Sequence, residues 1–98
     1  MQLARFLNNV FKKDGFILVD ANSKSYIIGN PKSENPIKVK ILNKNLHYKL
    51  LLHPDLYFGE AYTDGEITIE NGTLTDFLDL SLMNFGRGDL NFFSYLIN

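Results

Sequence analysis

Cysteine is absent from these 98 residues, which excludes disulfides and thiolate metal sites and suits a reducing cytosol. No apolar run approaches the ~20 residues that a membrane-spanning helix requires. The opening stretch, Met1 to Phe11, interrupts its apolar positions with Gln2, Arg5, Asn8 and Asn9. It therefore has neither the unbroken core nor the small-residue cleavage site of a signal peptide. An excess of one charge is lacking too: 10 basic side chains stand against 11 acidic ones, for a formal net charge of −1. With that balance and no aromatic-plus-basic stripe, nucleic acid is not an expected partner. These absences point to a cytoplasmic chain whose membrane contact is at most peripheral, at the inner face.

What is present is core material. Hydrophobic residues make up 45% of the chain and aromatic ones 13%, too apolar a mixture for a disordered segment. A domain of this size buries roughly two-thirds of the surface of its unfolded chain, so one core is feasible without staples. Leu3, Phe6, Leu7, Val10 and Phe11 recur at the spacing of an amphipathic helix packed on its own domain. Lys12, Lys13 and Asp14 follow it, and Gly15 can supply a left-handed stop. Residues 16–20 and 25–29 read as strands of a hairpin, with Asn22 available for the turn. Asn30 to Pro36 reads as an exposed loop, and the alternation from Ile37 to Leu42 as a third strand with one face in water. Three antiparallel strands are the expected minimum.

Asn45 is placed to cap a short helix through Leu52, and Pro54 suits the first turn of another, running to Thr63. Ile67-Thr68-Ile69 is a short fourth strand, and Asn71-Gly72 a turn. Thr73 and Asp76 then form a variant capping box, with Asp where Glu is usual. Behind it, Leu74, Phe77, Leu78, Leu82 and Phe85 make one apolar stripe, widened by Leu80 and Met83. Gly86-Arg87-Gly88 breaks this pattern. Helical spacing resumes at Asp89, bringing Phe92, Phe93, Tyr95, Leu96 and Ile97 within six residues of Asn98. The division is thus an α+β domain over 1–85 and a terminal helix or linker over 86–98.

Catalytic chemistry is hard to place. His47 and His53 lie six apart, outside the spacing of a helical zinc pair, and read as surface or loop histidines. No phosphate-cradling glycine pattern occurs. Asp55, Glu60, Asp64 and Glu66 are acidic, with Glu60 and Asp64 adjacent on one helical face. They read as a solvated surface, or as a carboxylate that locks the following turn through backbone amides. No catalytic, cofactor-binding or metal-binding residue emerges.

The segment Leu56 to Ile69 nevertheless resembles the N-terminal domain of cyclopropane-fatty-acyl-phospholipid synthases, in which G-E-(A/S)-Y-M-D-G precedes a short strand, a turn and a leucine-rich helix. Gly59, Glu60, Ala61, Tyr62, Asp64 and Gly65 match, Thr63 replaces the usual Met, and the run from Gly72 to Leu80 is similar. The resemblance implies a sterol-carrier-like α+β domain, a small and mostly antiparallel sheet backed by helices. It also implies a partner: a C-terminal methyltransferase domain beyond Asn98 that binds S-adenosylmethionine and adds methylene to phospholipid acyl chains. No catalytic residue of that domain falls in this chain. Gly59, Glu60, Tyr62, Asp64 and Gly65 are then structural, with Phe58, Ala61 and Tyr62 packed under the sheet and the Tyr62 hydroxyl on Asp64 or a backbone group. Phe58, Phe92, Phe93 and Leu96 become candidates for interdomain or lipid contact. Two other readings stay open: a stand-alone carrier of fatty acids, and a docking or oligomerisation module.

Overall fold

The computed structural model describes residues 1–85. Eight elements follow in order: α1 (Gln2–Val10), β1 (Gly15–Val19), β2 (Ser25–Gly29), β3 (Lys38–Ile41), α2 (Leu46–Leu52), α3 (Pro54–Thr63), β4 (Ile67–Glu70) and α4 (Leu74–Phe85). The strands form one sheet in the order β2-β1-β3-β4. This is the expected α+β arrangement. The expected terminal helix, with Phe92, Phe93 and Leu96, lies outside the described residues.

Strand pairing departs from expectation at one joint. β1 pairs antiparallel with β2, and β3 with β4, but β1 and β3 run parallel. Periodicity identifies strands and not their neighbours. Here β2 flanks one side of β1, and the loop over 30–37 carries the chain past the start of β1 to its other side. Asp14 anchors that passage: its carbonyl accepts from the Asn30 amide at 3.1 Å and its carboxylate from the Lys32 amide at 3.0 Å.

Side-chain alternation sorts the sheet into two faces. Phe16, Leu18, Ile28, Val39, Ile41 and Ile67 are buried and share a cluster with Leu3 of α1, Leu46 and Leu50 of α2, Phe58 of α3, and Phe77 and Leu80 of α4. Ile27, Lys40, Thr68 and Glu70 occupy the opposite face, by the register. Phe16 is central to the core, with its ring edge-on to Phe11 at 5.0 Å and to Phe77 at 5.1 Å between centroids. Such pairs add about 0.5–1.5 kcal/mol beyond the area they bury. No helix among the described residues is long and apolar enough to cross a membrane.

Several local expectations change. Helix α1 ends at Val10, before Lys12 and Lys13, and the left-handed residue is Asp14 (φ 60°). Gly15 instead opens β1, where a Cβ would lie 2.0 Å from the Ile28 carbonyl oxygen. The β1–β2 turn is organised by Asp20 and not Asn22: the Asp20 carboxylate accepts from the Asn22 and Lys24 amides, each at 2.9 Å. Asn45 precedes α2 without a side-chain cap: its backbone is already helical (φ −69°, ψ −19°) rather than extended as a capping residue's is, and its backbone amide donates to the Asn43 side chain at 3.0 Å. The apolar stripe of α4 is rotated. Phe77, Leu80 and Ser81 are buried while Leu82 and Met83 are exposed, because the helix is also held by Asn84. That side chain accepts from the Lys12 and Lys13 amides at 2.8 Å and donates to the Lys13 carbonyl at 2.9 Å.

Candidate functional site

The Gly59–Gly65 segment forms the last turns of α3 and its exit. Phe58, Gly59 and Ala61 are buried. The Phe58 ring stacks on Phe77 of α4, 5.3 Å between centroids and 28° between planes. The helix then stops by two backbone hydrogen bonds: the Gly65 amide to the Tyr62 carbonyl at 3.2 Å, and the Glu66 amide to the Ala61 carbonyl at 2.8 Å. This 5→2 and 6→1 pair is a Schellman stop, and it places its C′ residue in the left-handed region. Gly65 has φ 76°. The expected glycine stop is therefore present here, closed by backbone groups.

Tyr62 does not pack under the sheet. It is 37% exposed, because Phe58, Gly59 and Ala61 fill the buried arc and Tyr62 sits in the last turn before the chain leaves the helix. Glu60 and Asp64 are also on the surface. The segment thus supplies one apolar anchor, Phe58, and a helix stop, with its polar side chains facing outward. Glu66, just beyond it, joins two chain reversals: its carbonyl accepts from the Leu42 amide at 2.8 Å, and its carboxylate from the Asn43 amide group at 3.3 Å.

Phe58 also borders an apolar cavity of about 50 Å³ between the sheet and the helices. Leu7, Phe16, Val39, Leu50 and Phe77 contribute to its walls. Ser81 is the polar side chain in the lining, and its hydroxyl is spent on the Phe77 carbonyl at 3.0 Å. Nothing in these walls would orient a polar head group. Ligand sites for small molecules span roughly 300–1,000 Å³, so the cavity in this conformation is too small for an acyl chain.

The histidines are not a pair. His53 ends α2 and is exposed, its ring 6.3 Å from Tyr57. His47 lies within α2, and its Nε2 is buried without a hydrogen-bond partner among the described residues. The described residues contain no group of three His, Cys, Asp or Glu side chains able to hold a metal ion.

Asp20 is the carboxyl group most engaged by its surroundings. Burial acts against its ionisation, but the Lys24 and Asn22 amides, the Tyr26 hydroxyl at 3.1 Å and the nearby His47 outweigh it and hold its pKa below the ordinary value. Tyr26 moves the other way, raised first by burial and then by the hydrogen bond and charge of Asp20. Both shifts belong to a turn, in which the Asp20 carboxylate is already engaged by the turn amides and the Tyr26 hydroxyl. Sequence reasoning passed over Asp20 and Asn84, and took Glu66 only as one member of an acidic group. The Asp-x-Asn-x-Lys spacing of the β1–β2 turn was the only available signal for any of them.

Compared with protein-family models, with curated proteins and with solved structures, the chain matches none.

Proposed function

We propose that this chain is the accessory α+β domain of a lipid-modifying, S-adenosylmethionine-dependent methyltransferase, of the kind that cyclopropane-fatty-acyl-phospholipid synthases represent. The observation that supports the reading is the Gly59–Gly65 segment. Its glycine ends α3 in a left-handed stop, and a short strand, a turn and a capped leucine-rich helix follow in the order the resemblance implies. In this reading the domain docks the catalytic domain and helps present phospholipid, while the cofactor and the chemistry reside in the partner domain.

The reading is tested first on the gene. Its frame should continue past the codon for Asn98 into a glycine-rich methyltransferase segment, and an immediate stop overturns it. Deleting residues 1–85 from the resulting enzyme should then lower turnover on bilayer lipid at least tenfold, and unchanged turnover is equally fatal. A stand-alone carrier is the weaker alternative, because its cavity of about 50 Å³ would have to grow several-fold to admit an acyl chain.

A further inference from the structure

The near-zero net charge conceals a division along the chain. Nine of the ten basic residues, but only three of the eleven acidic ones, fall within residues 1–49. No acid occurs between Glu34 and Asp55, an interval that holds Lys38, Lys40, Lys44 and Lys49. Helix α2 lies inside that interval.

Leu46 and Leu50, one turn apart, face the core. Tyr48 and Leu52, also one turn apart, are rotated about 200° from them at 100° per residue. They are 68% and 73% exposed, the two most exposed large apolar side chains among the described residues. Leu42, just before the helix, is 56% exposed. Lys44 precedes this face, and Lys49 follows Tyr48 with its ammonium 5.6 Å from the Tyr57 ring centre. Asp20 shares a cleft with Lys44 and Tyr48, but its carboxylate is engaged by the turn amides and Tyr26.

Protein–protein interfaces are depleted in lysine. An exposed aromatic and leucine flanked by lysines, with no acid in the interval, is instead the composition of a helix lying in a membrane interface. Anionic lipid adds attraction for each nearby lysine. We propose that the outer face of α2 is the surface by which this domain meets an anionic bilayer. Tyr48 and Leu52 enter the boundary between headgroups and acyl chains, and Lys44 and Lys49 lie at phosphate level. The proposal rests on the accessory-domain reading for its purpose, to bring lipid substrate to the partner domain, but its physical claim is separate.

The test uses the full 98-residue chain and cosedimentation with phosphatidylcholine vesicles, with or without phosphatidylglycerol. Binding should require phosphatidylglycerol and weaken with salt. Changing Lys44→Gln or Lys49→Gln should each lower the partition coefficient about fivefold, and Tyr48→Ser with Leu52→Ser at least tenfold. These side chains are exposed, so circular dichroism should show the variants folded. The chain has no tryptophan, which makes Leu52→Trp a specific reporter: its emission should shift to the blue with anionic vesicles. Variants that bind as well as wild type, or binding indifferent to phosphatidylglycerol, overturn the proposal. So does a dimer in sedimentation velocity that Leu52→Ser dissolves, which would assign this face to a second copy. A methyltransferase frame beyond Asn98 combined with vesicle indifference rejects the bilayer face and keeps the accessory reading. An immediate stop combined with the expected vesicle binding does the reverse.

Discussion

Gly15 and Gly65 are both required to be glycine, for different reasons. Gly65 sits at φ 76° in open space, so a methyl group there meets no neighbour and the cost is conformational. Placing an L-residue in that region costs about 1–2 kcal/mol, and Asn tolerates it better than Ala. Gly15 has ordinary backbone angles but no room, with backbone atoms of Ile28 and Asn30 inside contact distance of a Cβ. Gly65→Ala should therefore lower stability in urea melts by about 1–2 kcal/mol, with Gly65→Asn recovering part of the loss. Gly15→Ala should cost more, because β1 and β2 must separate to relieve it. Equal effects of Gly15→Ala and Gly65→Ala would contradict this distinction. Asn8 and Asn84 act at the same scale: each spends a polar side chain on distant backbone groups, as Asn8 does in accepting from the Gly29 amide at 2.8 Å, while the Glu66 carboxylate meets the Asn43 side chain.

Among the elements, the β1–β2 hairpin and α4 show how local chemistry sets boundaries. Thr73 and Asp76 form the reciprocal capping box, with hydrogen bonds of 3.1 and 2.9 Å between each side chain and the other's amide. Aspartate thus completes the box in place of the usual glutamate. The hairpin turn depends on ionised Asp20, whose folded pKa lies below its unfolded one. A group depressed in this way contributes stability above its unfolded value, about 3.9, and loses it as pH falls through the folded value. Asp20→Ala should cost about 1–2 kcal/mol near neutral pH. The gap between variant and wild type should close in acid, below roughly pH 4. Urea melts across that range check the sign, and a gap that widens in acid would refute it.

At the scale of the molecule, one aromatic cluster among the described residues joins the sheet to the helices. Phe16 from the sheet touches Phe11 beside α1 and Phe77 of α4, which in turn stacks on Phe58 of α3. Removing a buried Phe costs about 3–5 kcal/mol, against a total of roughly 5–15 kcal/mol for a domain of this size. Phe16→Ala should therefore bring the chain close to unfolding at 25 °C, with a sharp fall in the urea midpoint and a gain in binding of a hydrophobic dye. An unfolding free energy within about 1 kcal/mol of wild type would show that the helices hold without this contact.

Most elements could be read from the order of residues, because helix and strand periodicity, the Pro54 start and the Thr73 box are local properties. The fold class, the buried Phe58 and Ala61, and the Gly65 stop follow from that local chemistry. Three matters depended on residues far apart in the chain. The parallel pairing of β1 with β3 arises because β2 occupies the other edge of β1, which periodicity does not register. The rotation of α4 is fixed by Asn84 reaching back to Lys12 and Lys13, across more than seventy positions. The open face of α2 exists because Leu46, Leu50 and, in part, Leu51 face the core, leaving Tyr48 and Leu52 to solvent. Periodicity counts apolar positions, but which of them are covered depends on what tertiary packing places against them.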